Sequence, residues 1–200
     1  MKKQLKEILK GKTRIALAFT GYILLTALFP HATIAQYTLD EQVSFVYING
    51  TSTLHDWTAS VEQMKGTLQA DVEGNHLVKI GSVKIAIPAI SLKSGKEAMD
   101  KNMYKALNSD SYPEITYQLK SHTIHNGTIT TKGELTIAGV TKNIETKVTQ
   151  QEAGKHIKID GEVKLKMSDF NVKPPEFLFG AFKTGDEITI IFHFMFCEKN

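Results

Sequence analysis

A chain of 200 residues with 24 basic and 21 acidic side chains suggests one domain with an appendage. Six of the basic residues and one acidic residue lie in the first 35 positions, which leaves 18 against 20 and a net charge of −2 from Gln36 onward. That balance, with no basic stripe, excludes nucleic acid as a partner on electrostatic grounds, and one cysteine, Cys197, excludes an internal disulfide.

Lys2, Lys3, Lys6, Lys10, Lys12 and Arg14 precede an apolar run from Ile15 to Phe29. PHATIAQ follows, with small residues at Thr33 and Ala35. A charged region, a short apolar region and a small-x-small site are the parts of a secretory signal peptide. The run of 15 residues falls short of the ~20 that span a bilayer. Residues 1–35 are therefore read as a signal peptide cleaved near Ala35, and 36–200 as the mature domain. No cysteine follows the run to carry a lipid anchor. The expected location is periplasmic or secreted.

Tyr37 to Ile48 reads as a first strand, with Val43, Phe45 and Tyr47 on one face. Asn49-Gly50 is a hairpin signal, because both residues tolerate positive φ. Thr51 to Lys65 is a second strand or a pair of short ones, and contains the only tryptophan, Trp57. Gly66 marks a bend, Thr67 to Val72 a further strand and Glu73-Gly74-Asn75 a turn. Leu77 to Ile87 is a strand with Val83, Ile85 and Ile87 on one face, closed by Pro88. Ser91 to Leu107 breaks the two-residue period. Met99, Met103 and Leu107 recur every four residues there, the stripe of one helix face. Ser94 and Glu97 have the spacing of a capping box.

Strands resume at Glu114 to Lys120, with Ile115, Tyr117 and Leu119 aligned. Asn126-Gly127 predicts a turn. Gly133 to Val148, GELTIAGVTKNIETKV, is a half-buried hairpin with Gly139 in its connection. His156 to Met167 alternates cleanly, with Ile157, Ile159, Val163, Leu165 and Met167 on one side. An aromatic loop follows, with Phe170, Phe177 and Phe179 around Pro174-Pro175. The last strand, Glu187 to Phe196, is apolar on both faces, which places it centrally. About eight strands at regular spacing and one short helix predict an all-β fold, an antiparallel barrel or sandwich.

Catalytic and metal signatures are scarce. There is no G-x-S-x-G, H-E-x-x-H or C-x-x-C. His122 and His125 flank a turn without further ligands. His193 and Cys197 stand ~13 Å apart along a strand, too far for one zinc ion. Ser52, His55 and Asp56 invite a triad. Adjacent strand residues point to opposite faces, however, which sets His55 and Asp56 against a base–orienter pair. No metal and no catalytic residue is assigned. Two readings stand in place of a triad: Asp56 or His55 satisfying backbone groups at a bend, or His55, Asp56 and Trp57 forming the polar mouth of a cavity. The positive signal is a surplus of large apolar groups: the methionine-striped helix, the phenylalanine loop, and Phe192 and Phe194 in the last strand. Methionine suits a flexible apolar guest, and an eight-stranded barrel is just wide enough for one small ligand.

IPAISLKSGKEAMDKNMYKALNSDSYPEITY, GELTIAGVTK and MSDFNVKPPEFLFGAFKTGDEITIIF, in this spacing, resemble the YceI-like family of periplasmic lipid-binding proteins. The likeness runs from about Tyr37 to Phe196. GTSTLHDW, at Gly50 to Trp57, looks like a subgroup variant of that family's second strand. The resemblance implies a lipocalin-like extended barrel with a helix near one end. It implies an elongated apolar pocket for a polyisoprenoid, quinone- or polyprenyl-type, or a related fatty amphiphile, with no cofactor besides that lipid. Onto this chain it carries Met99, Met103, Tyr104, Phe170, Phe177 and Phe179 as pocket residues. A homodimer and transient membrane contact are compatible with it. Two other readings stand beside the carrier: a ligand-free barrel serving as a stress-related or partner-binding module, and a hydrolase using His55.

Overall fold

The computed structural model describes residues 34–73, 76–125, 128–153, 155–177 and 181–199. The expected signal peptide up to Thr33, and the turns expected at Gly74-Asn75 and Asn126-Gly127, lie outside the described residues. Twelve strand segments are found among the described residues. They are β1 (Ala35–Leu39), β2 (Phe45–Ser52), β3 (Trp57–Val61), β4 (Lys65–Glu73), β5 (His76–Pro88) and β6 (Leu92–Lys93). Helix α1 (Glu97–Leu107) comes next, then β7 (Glu114–His125), β8 (Thr128–Ile137), β9 (Val140–Ala153) and β10 (His156–Lys166). The short β11 (Glu176–Phe177) and the long β12 (Phe182–Glu198) complete the chain.

The strands β1, β4, β5, β7, β8, β9, β10 and β12 are hydrogen-bonded in that order, and β12 returns to β1. This is a closed antiparallel barrel of eight positions, in which every strand of the ring has a ladder partner on both sides over at least part of its length. Towards the other end, β2, β3 and β6 take over the positions of β1, β4 and β5. There β12 pairs with β2, β2 with β3, and β3 with β6. No ladder joins β6 to β7. Helix α1 occupies the connection between them.

The expected first strand is in fact two. Asp40 Oδ1 accepts the Gln42 N–H at 2.9 Å, and Ser44 N–H donates to the Asp40 carbonyl at 3.1 Å. These local bonds offer the backbone an alternative to the ladder and separate β1 from β2. Val43, Phe45 and Tyr47 do share a face, but it is the outer one, at 50%, 39% and 41% exposure. Val46 and Ile48 point inward.

Asn49-Gly50 is not a turn. Both residues lie inside β2, paired to Thr189 and Ile188 on one side and to Thr58 and Trp57 on the other. Gly50 serves a different need. The Trp57 ring rests on it, and a Cβ there would stand 2.2 Å from Trp57 Cζ2. The chain reverses instead at Thr53–Asp56, where Ser52 Oγ accepts the N–H groups of Leu54 and His55, each at 3.2 Å.

The hairpin expected at Gly133–Val148 is present, with Ile137 paired to Val140. Ala138 and Gly139 have φ of 49° and 77°. Positive φ at both central residues makes a turn whose twist matches the flanking strands. Helix α1 starts later than the capping-box spacing predicts. Its N-cap is Lys96, with no side-chain cap. Ser94 instead holds the buried Asp100 carboxylate, with its N–H at 2.7 Å and its hydroxyl at 2.6 Å. Glu97 pairs with Lys101 at 2.7 Å in solvent. Asn108, left-handed at φ 49°, ends the helix as such residues commonly do.

Two outcomes follow. Gly50→Ala should force the Trp57 ring to shift and cost ~1–3 kcal/mol through overpacking. Because Trp57 is the only tryptophan, its fluorescence should change together with the melting temperature. The second concerns acid. Burial raises the Asp100 pKa, but the two Ser94 bonds, with the Lys93 charge, outweigh it and hold the carboxyl below its ordinary value. A group depressed on folding contributes stability above its unfolded pKa and loses it as the pH falls through the folded value. Asp100→Asn should therefore be less stable than wild type at neutral pH. The difference should narrow below the ordinary carboxylate range, as read by denaturant titration across pH.

Candidate functional site

The inward faces of the strands enclose a cavity of about 550 Å³. That is within the ~300–1,000 Å³ range of small-molecule sites. β5 contributes Ile80, Val83, Ile85 and Ile87, and β7 contributes Ile115, Tyr117 and Leu119. Every second residue of β12, from Ile188 through Ile190, Phe192 and Phe194 to Phe196, lines it. This settles which face of that strand is inside. Phe192 and Phe194 stack at 4.9 Å, and Phe194 meets Phe196 edge-on at 6.3 Å. Helix α1 closes the gap between β6 and β7 with Ala98, Met99, Asn102, Met103, Ala106 and Leu107.

Polar groups are few inside. Thr131 Oγ1 donates to the Thr146 carbonyl at 3.1 Å. Burial pushes the Tyr117 hydroxyl up, partly offset by its hydrogen bond with Thr131, so it stays neutral at ordinary pH. The charged lining collects at one end, together with the polar groups where β2 ends. Ser52 and His55 come from the turn after β2, Lys96 from the start of α1, Lys166 from the end of β10, and Lys183 and Thr184 from the start of β12. This end is the mouth.

Met99, Met103, Phe170, Phe192 and Phe194 all line the cavity. Phe170 is only 2% exposed. It belongs to a single helical turn, Met167–Phe170, set where the β9–β10 ladder stops at Val148 and Gly161. A second hollow of about 500 Å³ lies outside that seam and shares Ile144, Val163, Lys166 and Phe170 with the main cavity. Phe170 thus fills a gap in the barrel wall. Tyr104 is a correction. It does not line the cavity: its hydroxyl donates to the Leu92 carbonyl at 2.8 Å and accepts from Lys93 Nζ at 2.7 Å, tying α1 to β6. The helical period puts Tyr104 next to Met103, but a step of 100° turns it off the inner face. Phe179 and the Phe177 side chain lie outside the described residues.

His55 and Trp57 line the mouth, whereas Asp56 is exposed and does not. The triad geometry is not formed. Ser52 Oγ donates to the His55 carbonyl at 2.7 Å, and His55 Nδ1 lies 2.8 Å from the Asp56 carbonyl rather than its carboxylate. The hydroxyl that would attack is committed to its own turn. Burial, with Asp40 nearby, pushes the Cys197 thiol up and away from its nucleophilic thiolate form. His193 and Cys197 do share a face, the outer one. His193 Nδ1 lies 2.6 Å from Asp160 Oδ1, and His156 Nδ1 lies 3.2 Å from Cys197 Sγ. Among the described residues no group of three or more His, Cys, Asp or Glu converges.

Sequence reasoning missed the mouth lysines. Alternation along β10 assigns Lys166 to the outer face, and only the end of the strand brings it to the rim. Nothing in the spacing of Lys96 or Lys183 marks them among the other lysines.

A closed barrel of eight strand positions, with an apolar interior and a helix set into one gap, defines a cavity-bearing β-barrel of lipocalin-like architecture. The chain belongs to the YceI-like family, whose domain matches residues 37–196. It is similar to Protein YceI of Shigella flexneri, 27% identical over 183 residues that cover 84% of this chain and 88% of the relative. BcnA of Burkholderia cenocepacia superposes with a TM-score of 0.67 at 20% identity, over 78% of this chain and 98% of that one. A polyisoprenoid binding domain from Saccharophagus degradans superposes at 0.65 and 14% identity, over 84% of this chain and all of that one. At such identities these structures establish a shared fold.

The cavity separates packed from space-facing side chains. Phe196 is fully buried beside the closing β1–β12 ladder, so Phe196→Ala should cost ~3–5 kcal/mol. Met103 already faces open space and has fewer contacts to lose. Met103→Ala should cost about 2 kcal/mol or less, measured by chemical denaturation of both variants.

Proposed function

We propose that this protein is a non-enzymatic carrier that holds a polyisoprenoid, quinone- or polyprenyl-type, or a similar long-chain lipid inside the barrel, outside the cytoplasm. The observation that carries this is the cavity itself: about 550 Å³, lined almost wholly by hydrocarbon, with its lysines gathered at one end. An amphiphile has that shape of chemistry, an apolar chain and a single polar head. The polyisoprenoid binding domain of Saccharophagus degradans shares the fold, and the likeness to Protein YceI supports the same reading. The charged and apolar segments before Ala35 support export, as does the periplasmic character of the family.

Burying each CH₂ is worth ~0.8 kcal/mol, so part of a prenyl chain suffices for firm binding. Ordering a flexible chain offsets much of that gain. An apolar tube discriminates weakly, because one methylene is worth only ~1–3 kcal/mol. The carrier should therefore select chain length more sharply than chain chemistry. The mouth turn, with Ser52 Oγ held by main-chain groups, gives no support to a His55 hydrolase.

Native mass spectrometry of protein purified from its own cell envelope, followed by lipid extraction, should show a co-purifying long-chain amphiphile. Met103→Trp should then block long prenyl chains before short ones while the fold keeps its stability. An empty protein that takes up no chain of any length after delipidation would leave the ligand-free module as the better account.

A further inference from the structure

We propose that the lipid's head is anionic, a phosphate or a carboxylate held at the mouth among Lys96, Lys166 and Lys183. This rests on the carrier reading and adds the charge of the ligand to it. Among the described residues, the lining of the main cavity contains three lysines and His55 but no aspartate or glutamate.

Strand register places these cations at one end. Trp57 pairs with Gly50, Gly50 with Ile188, and Ile188 with Leu165, which forms one row across the barrel. Lys166 follows that row on β10, and Lys183 precedes it on β12. Lys96 lies three residues past Lys93, which pairs with Ser60 as the chain runs back towards Trp57. Among the described residues, the opposite end, around Leu39, Ile157 and Phe196, adds no charged side chain to the lining. An amphiphile with its chain towards Phe196 brings its head to the lysines.

The lysines are available for this role. The Lys–carboxylate ion pairs found among the described residues involve Lys101, Lys120, Lys132, Lys155 and Lys158, and none of the three at the mouth. Carboxylates near the rim are engaged by other groups or lie outside the main cavity, as do Glu145, Asp169 and Glu187, which share the second hollow with Lys166. Asp186 accepts the Ser168 N–H at 2.8 Å and hydroxyl at 2.5 Å, with Lys166 a lesser influence on it. Glu187 and Glu176 stand across the ladders from Lys166 and Lys183, but neither lines the cavity. A lysine stem lies along apolar wall while its ammonium reaches the rim. As a compact point charge it suits a phosphate or carboxylate of varied geometry.

The test compares matched pairs on the full, delipidated chain: geranylgeranyl phosphate against geranylgeraniol, and hexadecanoate against hexadecanol. Each exposed charge pair is weak alone, but three together should favour the anion by roughly tenfold. That preference should shrink in high salt and fall towards one in the triple variant Lys96→Gln, Lys166→Gln, Lys183→Gln. The triple Lys→Arg variant should restore it, which also shows that the glutamine variant's loss is one of charge. A larger preference within the phosphate pair than within the carboxylate pair assigns the head as phosphate, and the reverse as carboxylate. Equal binding of anion and alcohol by wild type overturns the proposal while the carrier reading stands. Failure of all four ligands to bind sinks the carrier reading itself. If the glutamine variant keeps its preference but loses attachment to phosphatidylglycerol vesicles, the lysines serve membrane docking and the proposal falls.

Discussion

The structure depends on closing a sheet whose strands are of unequal length. β12 makes this work. Along one edge its residues from Glu187 to Cys197 pair with β10. Along the other edge it meets β2 through Thr184–His193 and β1 through Phe196–Glu198. One strand therefore bridges a ring that two interrupted segments complete. Its inner face supplies Phe192, Phe194 and Phe196, so the strand that closes the barrel also sets the width and the chemistry of its interior.

Closure at one end and interruption at the other give the barrel its polarity. Where β1, β4 and β5 pair continuously, aromatic and aliphatic groups fill the space. Where β2, β3 and β6 replace them, the ladder to β7 is missing and a helix fills the opening with methionines. Backbone groups in a buried opening need partners. The Tyr104 hydroxyl supplies one by bonding the Leu92 carbonyl, and Asp100 supplies another by holding the Ser94 N–H. A second lapse in pairing, between β9 and β10, is filled by Phe170. Both of these gaps are thus covered by a non-strand segment carrying a large apolar side chain, and the mouth forms where these segments meet.

Inside the cavity the Thr131 hydroxyl donates to the Thr146 carbonyl and bonds the Tyr117 hydroxyl. The Ser52 hydroxyl is held in its own turn, and burial favours the thiol form of Cys197 on the outer face. What distinguishes one end from the other is charge: among the described residues the main cavity's lining carries lysines at the rim and no carboxylate. On the proposed carrier reading, such a site would sort ligands by chain length inside and by head group at the rim.

The sequence by itself determined the all-β class, the helix after Ser91, the Gly133–Val148 hairpin and the central place of the last strand. Each rests on short-range physics: a two-residue period, a four-residue apolar stripe, or a glycine with positive φ. It also determined that Met99, Met103 and the β5 and β7 triplets share faces, and the YceI-like motifs marked the family. Only the tertiary structure decided which face is inside. Val43, Phe45 and Tyr47 alternate as well as any core triplet, yet they lie outside, because the inner face of β2 is set by its two neighbours. Asn49-Gly50 has the composition of a turn, but ladders on both sides and the Trp57 ring outweigh that preference. Tyr104 left the cavity for the same kind of reason, drawn to a carbonyl 12 positions earlier in the chain. The mouth was the least legible part. Lys96, Lys166 and Lys183 come from three separate segments, and only strand register and closure bring them to one rim.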